Sequence, residues 1–127
     1  MSRPVRIFTL AACFSGVLAA SGAAPAAPRH DGNWSVLVVT ESGTCDRAYR
    51  YPVRVENGAV RYEGEAGIDL SGQVMPSGAI KVTIRRGEQS ATGSGKLSGD
   101  GGSGTWSGKS TTSECSGRWQ AERRSAN

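Results

Sequence analysis

Histidine is close to absent: the 127-residue chain has one, His30. Neither a Ser-His-Asp nor a Cys-His catalytic arrangement is expected from a lone imidazole, and no zinc site of the usual ligand set can be assembled. His30 falls in a linker at 28–31, where the sequence predicts a solvated side chain. Haem lacks a convincing axial ligand as well. Met75 reads as a turn residue, and Tyr49 and Tyr51, the remaining candidates, read as core tyrosines. No metal and no cofactor are expected. Cysteine is scarce, with three residues, and the two phenylalanines, Phe8 and Phe14, both sit near the start. After residue 30 no stretch keeps helical spacing, which excludes a helical bundle and an α/β fold.

The chain has one long apolar run, residues 7–20, preceded by Arg3 and Arg6 and followed by Ala24-Pro25-Ala26, a small-x-small cleavage site. This is the pattern of an export signal over residues 1–26. The run is too short, and too soon followed by Pro25 and Pro28, for a membrane span. Leu10-Ala11-Ala12-Cys13 offers an alternative, a lipobox in which Cys13 becomes the lipid-bearing first residue; the mass of the mature N-terminus separates the two. Cleavage after Ala26 leaves 101 residues, enough for one small domain. Losing Arg3 and Arg6 leaves 13 basic residues against 11 acidic, a net charge of +2. Export and so small a charge both argue against a nucleic-acid partner. In an oxidising compartment, periplasmic or extracellular, Cys45 and Cys115 are most simply a disulfide.

Alternation at period two recurs along the rest of the chain, with turn residues between the runs. Trp34, Val36 and Val38 share one face of a first strand; Tyr49, Tyr51, Val53 and Val55 line a second. Asn57-Gly58 supplies the two positive φ angles of a type I′ hairpin. That turn sets Val55 opposite Val60 and Val53 opposite Tyr62 inside, with Arg54 opposite Arg61 and Arg50 opposite Glu65 outside. Pro52 falls where a ladder donor is wanted, so a bulge or the end of pairing is expected there. Ile68, Leu70 and Val74, then Ile80, Val82 and Ile84, make two further strands around a turn at 76–78. Three last strands have thin interiors: Ala91, Gly93, Gly95 and Leu97; Gly104, Trp106 and Gly108; Cys115, Gly117, Trp119 and Ala121. Trp106 and Trp119 are placed to cover the glycines.

Eight strands with short turns predict an all-β, single antiparallel meander closed into a small barrel over 33–124. Residues 27–32 serve as linker and 125–127 as a frayed tail. A Cys45–Cys115 bond spans 70 residues, which corresponds to roughly 4 kcal/mol of loop entropy. An outer-membrane barrel is disfavoured by the outward positions of Arg50, Arg54, Lys81, Arg85 and Arg118. Leu37 and Val39 make the first strand apolar on its outer side too, and a terminus or partner is expected to cover them.

Other motifs have plainer explanations. Gly99-x-Gly101-x-x-Gly104 has dinucleotide-fingerprint spacing, but no helix follows it; Ser107-Gly108-Lys109-Ser110 imitates a Walker loop, but the leading glycine is replaced by Ser103. Glu63 and Glu65 share a face without further catalytic company. Arg54 facing Arg61 costs stability unless Glu56 and Glu63 screen the pair or an anion or acidic surface docks on it.

Gly32-Asn33-Trp34, at the start of the first strand, resembles the Gly-x-Trp signature of the calycin-like barrels, the lipocalins and their relatives. The resemblance implies a closed antiparallel barrel binding a small apolar ligand or a protein, and a basic residue near the last strand packed over the tryptophan; Arg123 is the match. The runs at 45–51 and 115–119 also resemble those of small exported proteins of proteobacteria.

A non-catalytic binding module is therefore expected. In one form it holds a small apolar ligand among Trp34, Tyr49, Tyr51, Tyr62, Trp106 and Trp119. In the other the interior is filled, and Leu37, Val39, Arg50, Arg54 and Arg61 dock an envelope or extracellular protein, such as a protease.

Overall fold

A computed structural model describes Pro4 and residues 29–126. The leader and the Cys13 alternative otherwise lie outside the described residues. Eight strands follow one another: β1 (Gly32–Ser42), β2 (Ala48–Glu56), β3 (Ala59–Tyr62), β4 (Asp69–Val74), β5 (Ala79–Arg86), β6 (Gln89–Ser98), β7 (Gly101–Lys109) and β8 (Glu114–Ser125). Each pairs antiparallel with the next, and β8 returns to β1, so the sheet closes into a barrel. The glycine-spaced motif at 99–104 is part of the β6–β7 hairpin and opens no helix.

Closure depends on β1 and β8, which pair from Asn33 with Ser125 to Ser42 with Ser116, with irregularities at Asn33/Trp34 and Thr40/Ser42. Such bulges bend a strand and sharpen its coil, which an eight-stranded tube requires. β8 therefore continues to Ser125, the first residue of the expected tail. Cys45, in the β1–β2 loop, is bonded to Cys115 with their Cα atoms 6.1 Å apart, tying that loop to the start of β8.

The β2–β3 turn has φ of 50° at Asn57 and 81° at Gly58, and the register is the one that turn dictates: Val55 with Val60, Arg54 with Arg61, Val53 with Tyr62. Pairing between β2 and β3 then stops next to Pro52, whose carbonyl accepts a last bond from the Glu63 amide at 3.0 Å. The expected opposition of Arg50 and Glu65 is consequently not formed. Glu65 lies in the β3–β4 connection, and β3 pairs with β4 only over Ala59–Arg61. β4 begins at Asp69, leaving Ile68 just before it.

One end of the barrel is packed solid. Trp34, Val53, Val55, Val60, Val74, Leu97, Trp119 and Ala121 form a buried cluster there, and Val55 is only 1% exposed. The linker expected at 27–32 contributes to this floor. Trp34 Nε1 donates to the His30 carbonyl at 2.9 Å, and Asp31 Oδ2 accepts the Asn57 amide at 2.9 Å. The His30 imidazole is not solvated: both nitrogens are buried without a partner among the described residues, and Cε1 would lie 3.6 Å from a Cβ placed on Gly78. A linker side chain drawn under the floor by bonds to its own carbonyl and to the Asp31 carboxylate is a tertiary effect that local composition does not reveal.

Candidate functional site

Above the floor the interior is not filled. A cavity of ≈ 890 Å³ opens towards the other end of the barrel. Its size falls in the range typical of small-molecule sites, and eight strands are the number at which a barrel can just hold one such ligand. Inward-facing Val36, Val38, Leu70, Ile80, Val82 and Ile84 form its walls and are only half-buried; all but Ile84 also pack against the buried cluster below.

The thin strands β6 to β8 form the opposite wall. Trp119 lies across them, donating from Nε1 to the Ser94 carbonyl at 3.2 Å. A Cβ on Gly95 would come 2.6 Å from its ring, and one on Gly104 2.7 Å. Glycine at both positions thus makes room for an indole, as the sequence suggested. Trp106 donates to the Val39 carbonyl at 3.0 Å, and its Nε1 would lie 3.0 Å from a Cβ on Gly117. Each indole N–H finds an acceptor, so these large rings are buried without an orphaned donor.

The mouth is polar. Thr44, Asp46, Arg86, Glu88 and residues 109–113 line it, all from the ends of strands or the loops between them, with the Cys45–Cys115 bond beneath. Tyr49 and Tyr51 stack with ring centroids 6.0 Å apart, and Tyr62 meets Tyr51 edge-on at 6.1 Å. Burial pushes the Tyr51 hydroxyl above its usual pKa; Tyr49 adds to the rise, Arg86 opposes it, and Tyr62 contributes further.

Five of the six aromatics expected in the interior line the cavity: Trp34, Tyr49, Tyr51, Trp106 and Trp119. Tyr62 does not. It lies at the end of β3, in a side recess of ≈ 230 Å³ that shares Tyr49, Tyr51, Ile68 and Arg86 with the cavity. The recess exists because β3 ends early and the wall beside the upper half of β2 is left unpaired.

Arg123 stands over Trp34 at the floor, its guanidinium 4.8 Å from the ring centroid. Its Nη atoms donate to the carbonyls of Asp31, Arg29 (2.7 Å) and Gly99 (2.9 Å). The Asp100 carboxylate is 2.9 Å from Nε, yet Nε makes no directed hydrogen bond, so Asp100 lies off the N–H axis. With Asp100 86% exposed, we give that ion pair little weight beside the three carbonyl bonds.

The outer residues are largely occupied by their neighbours. Arg54 Nε is 2.8 Å from Glu56, which offsets the facing Arg61, and Arg50 reaches Ser35 at a long 3.4 Å. Leu37 and Val39 are half-buried between cross-strand neighbours, Arg50 and Gln120 for the first, Ala48 and Arg118 for the second. Among the described residues, the exposed large apolar side chain is Met75, in the β4–β5 turn.

Among the described residues no helix is long and apolar enough to cross a membrane, and no cluster of His, Cys, Asp and Glu could hold a metal ion. The residue that sequence reasoning passed over is Arg86: the row Ile80, Val82, Ile84 continues to it, but the alternation appeared to end at the following turn. Compared with known proteins, the chain matches no family model, no curated protein and no solved structure.

Proposed function

We propose that the protein is an exported, non-catalytic binding module of calycin-like character that holds a small apolar molecule inside its barrel. The observation that carries this reading is the ≈ 890 Å³ cavity walled by half-buried valines, leucine and isoleucines. Leaving so much apolar surface unpacked costs stability, at about 25 cal/mol per Å², unless an occupant covers it. The disulfide fits an oxidising compartment, so a periplasmic or secreted location is part of the proposal. Docking of an envelope or extracellular protein through Leu37, Val39 and the arginines has less support, because Leu37 and Val39 are half-buried, Arg54 is paired with Glu56, and the interior that reading requires to be full is hollow.

Native mass spectrometry of protein purified from its exporting host tests the proposal. A retained small molecule supports it; a bare chain that also fails to take up an apolar fluorescent probe refutes it. Val82→Trp, which would project into the cavity, should abolish probe uptake while the disulfide and barrel persist.

A further inference from the structure

Among the described residues, the inward-facing strand positions carry two charges, Arg86 at the end of β5 and Arg123 near the end of β8. They stand at opposite ends of the same interior. Arg123 is held by three carbonyls and the Trp34 ring, with the Asp100 carboxylate near its Nε. Arg86 has none of these: the ion pairs of the described barrel belong to Arg54, Arg118, Arg123 and Arg124. It continues the row Ile80, Val82, Ile84 up to the rim, so a molecule lying along those side chains meets the guanidinium as it leaves the apolar zone.

The surroundings of Arg86 suit an anion. It lines both the cavity and the side recess, together with Tyr49 and Tyr51. The Tyr49 hydroxyl accepts the Asp46 amide at 3.2 Å, whereas those of Tyr51 and Tyr62 make no hydrogen bond among the described residues and are free to donate. The other charges at the mouth are placed differently. Lys109 lines the mouth from an outward-parity position in register with Glu114, and Asp46 and Glu88 stand exposed in connecting loops. The rim is therefore close to neutral as a whole, and position rather than net charge decides what it recognises.

Resting on the reading of the cavity as a ligand site, we infer that the ligand is a long-chain carboxylate, its chain in the apolar cavity and its head on the Arg86 guanidinium beside the Tyr51 hydroxyl. One planar guanidinium with free donors matches one carboxylate in a two-point contact, and a phenol supplies a third donor. The walls offer a charged head no other partner, so the chain enters tail first.

The test uses the disulfide-bonded protein, freed of any carried molecule by extraction, and three probes of equal chain length: dodecanoate, 1-dodecanol and dodecyltrimethylammonium. Binding is followed by tryptophan fluorescence and calorimetry. The wild type should bind dodecanoate about tenfold more tightly than dodecanol, the scale of one charge-assisted contact at a partly solvated rim. Arg86→Gln should remove that preference, weakening dodecanoate far more than dodecanol; Arg86→Lys should keep part of it. Lys81→Gln, which deletes an outward charge from the same strand, should change neither. Equal affinity for acid and alcohol, tighter binding of the cation, survival of the preference in Arg86→Gln, or equal weakening of both probes by that variant overturns the inference while the apolar cavity reading stands. Failure of every probe to bind overturns both.

Discussion

At the scale of single residues, the two ends of the barrel make opposite demands on similar chemistry. Arg123 satisfies three carbonyls from two separate chain segments, Arg29 and Asp31 in one and Gly99 in the other, while its guanidinium covers Trp34. Arg123→Ala should lower stability by about 2 kcal/mol, because it orphans carbonyl groups and uncovers an indole together. Arg123→Lys should recover little of the loss, since one ammonium cannot reproduce a planar fork. Urea unfolding of both variants measures this. At the mouth, Tyr51 titrates above its usual value of about 10 because burial disfavours the phenolate. The stability associated with its neutral form is present below that pH and is lost as pH rises through the folded-state value. Absorbance titration should show a tyrosine phase ionising above the usual value, and Tyr51→Phe should remove that late phase. A late phase that survives the substitution contradicts the assignment.

At the scale of elements, the glycine-rich strands act as a seat for Trp119. Gly95→Ala or Gly104→Ala would drive a methyl into the indole and into facing backbone, and each should cost about 1–3 kcal/mol. Gly93 differs, because the nearest atom to its would-be Cβ is 3.6 Å away. Gly93→Ala should be neutral or stabilising by up to about 1 kcal/mol, since alanine loses less backbone freedom on folding. Thermal melts of the three variants distinguish a packed seat from loosely tolerated glycine. This wall could be read in the sequence, because a two-residue period fixes which side of a strand each residue faces, and small inward residues beside Trp106 and Trp119 have one simple geometric solution. The β2–β3 register was equally legible, since Asn57-Gly58 specifies its own turn. Local rules failed where the outcome depended on distant chain. Arg50 and Glu65 were placed opposite each other by extending the hairpin past Pro52, but β3 departs there, opening the recess that holds Tyr62. The covering of His30 and the exposure of Arg86 to the interior likewise depend on how the tube closes.

At the scale of the whole molecule, one covalent tie supports a domain whose buried core occupies only one end. Loss of the Cys45–Cys115 bond in a Cys45→Ser, Cys115→Ser double variant should lower stability by roughly 4 kcal/mol, the loop entropy of a 70-residue span. The bond also holds the β1–β2 loop against the start of β8 beside the mouth, so reduction should raise hydrogen exchange first at 43–47 and 110–115 and later at the floor. Simultaneous exchange throughout would mean that the barrel opens as one unit. The pairing of Asn33 with Ser125 has a practical consequence of its own. Entry into the first strand and exit from the last are neighbours on the sealed side, so an affinity tag, a dye or a surface linker attached at either place leaves the doorway clear. A molecule immobilised that way presents its opening outward, and traffic through the opening can be watched undisturbed.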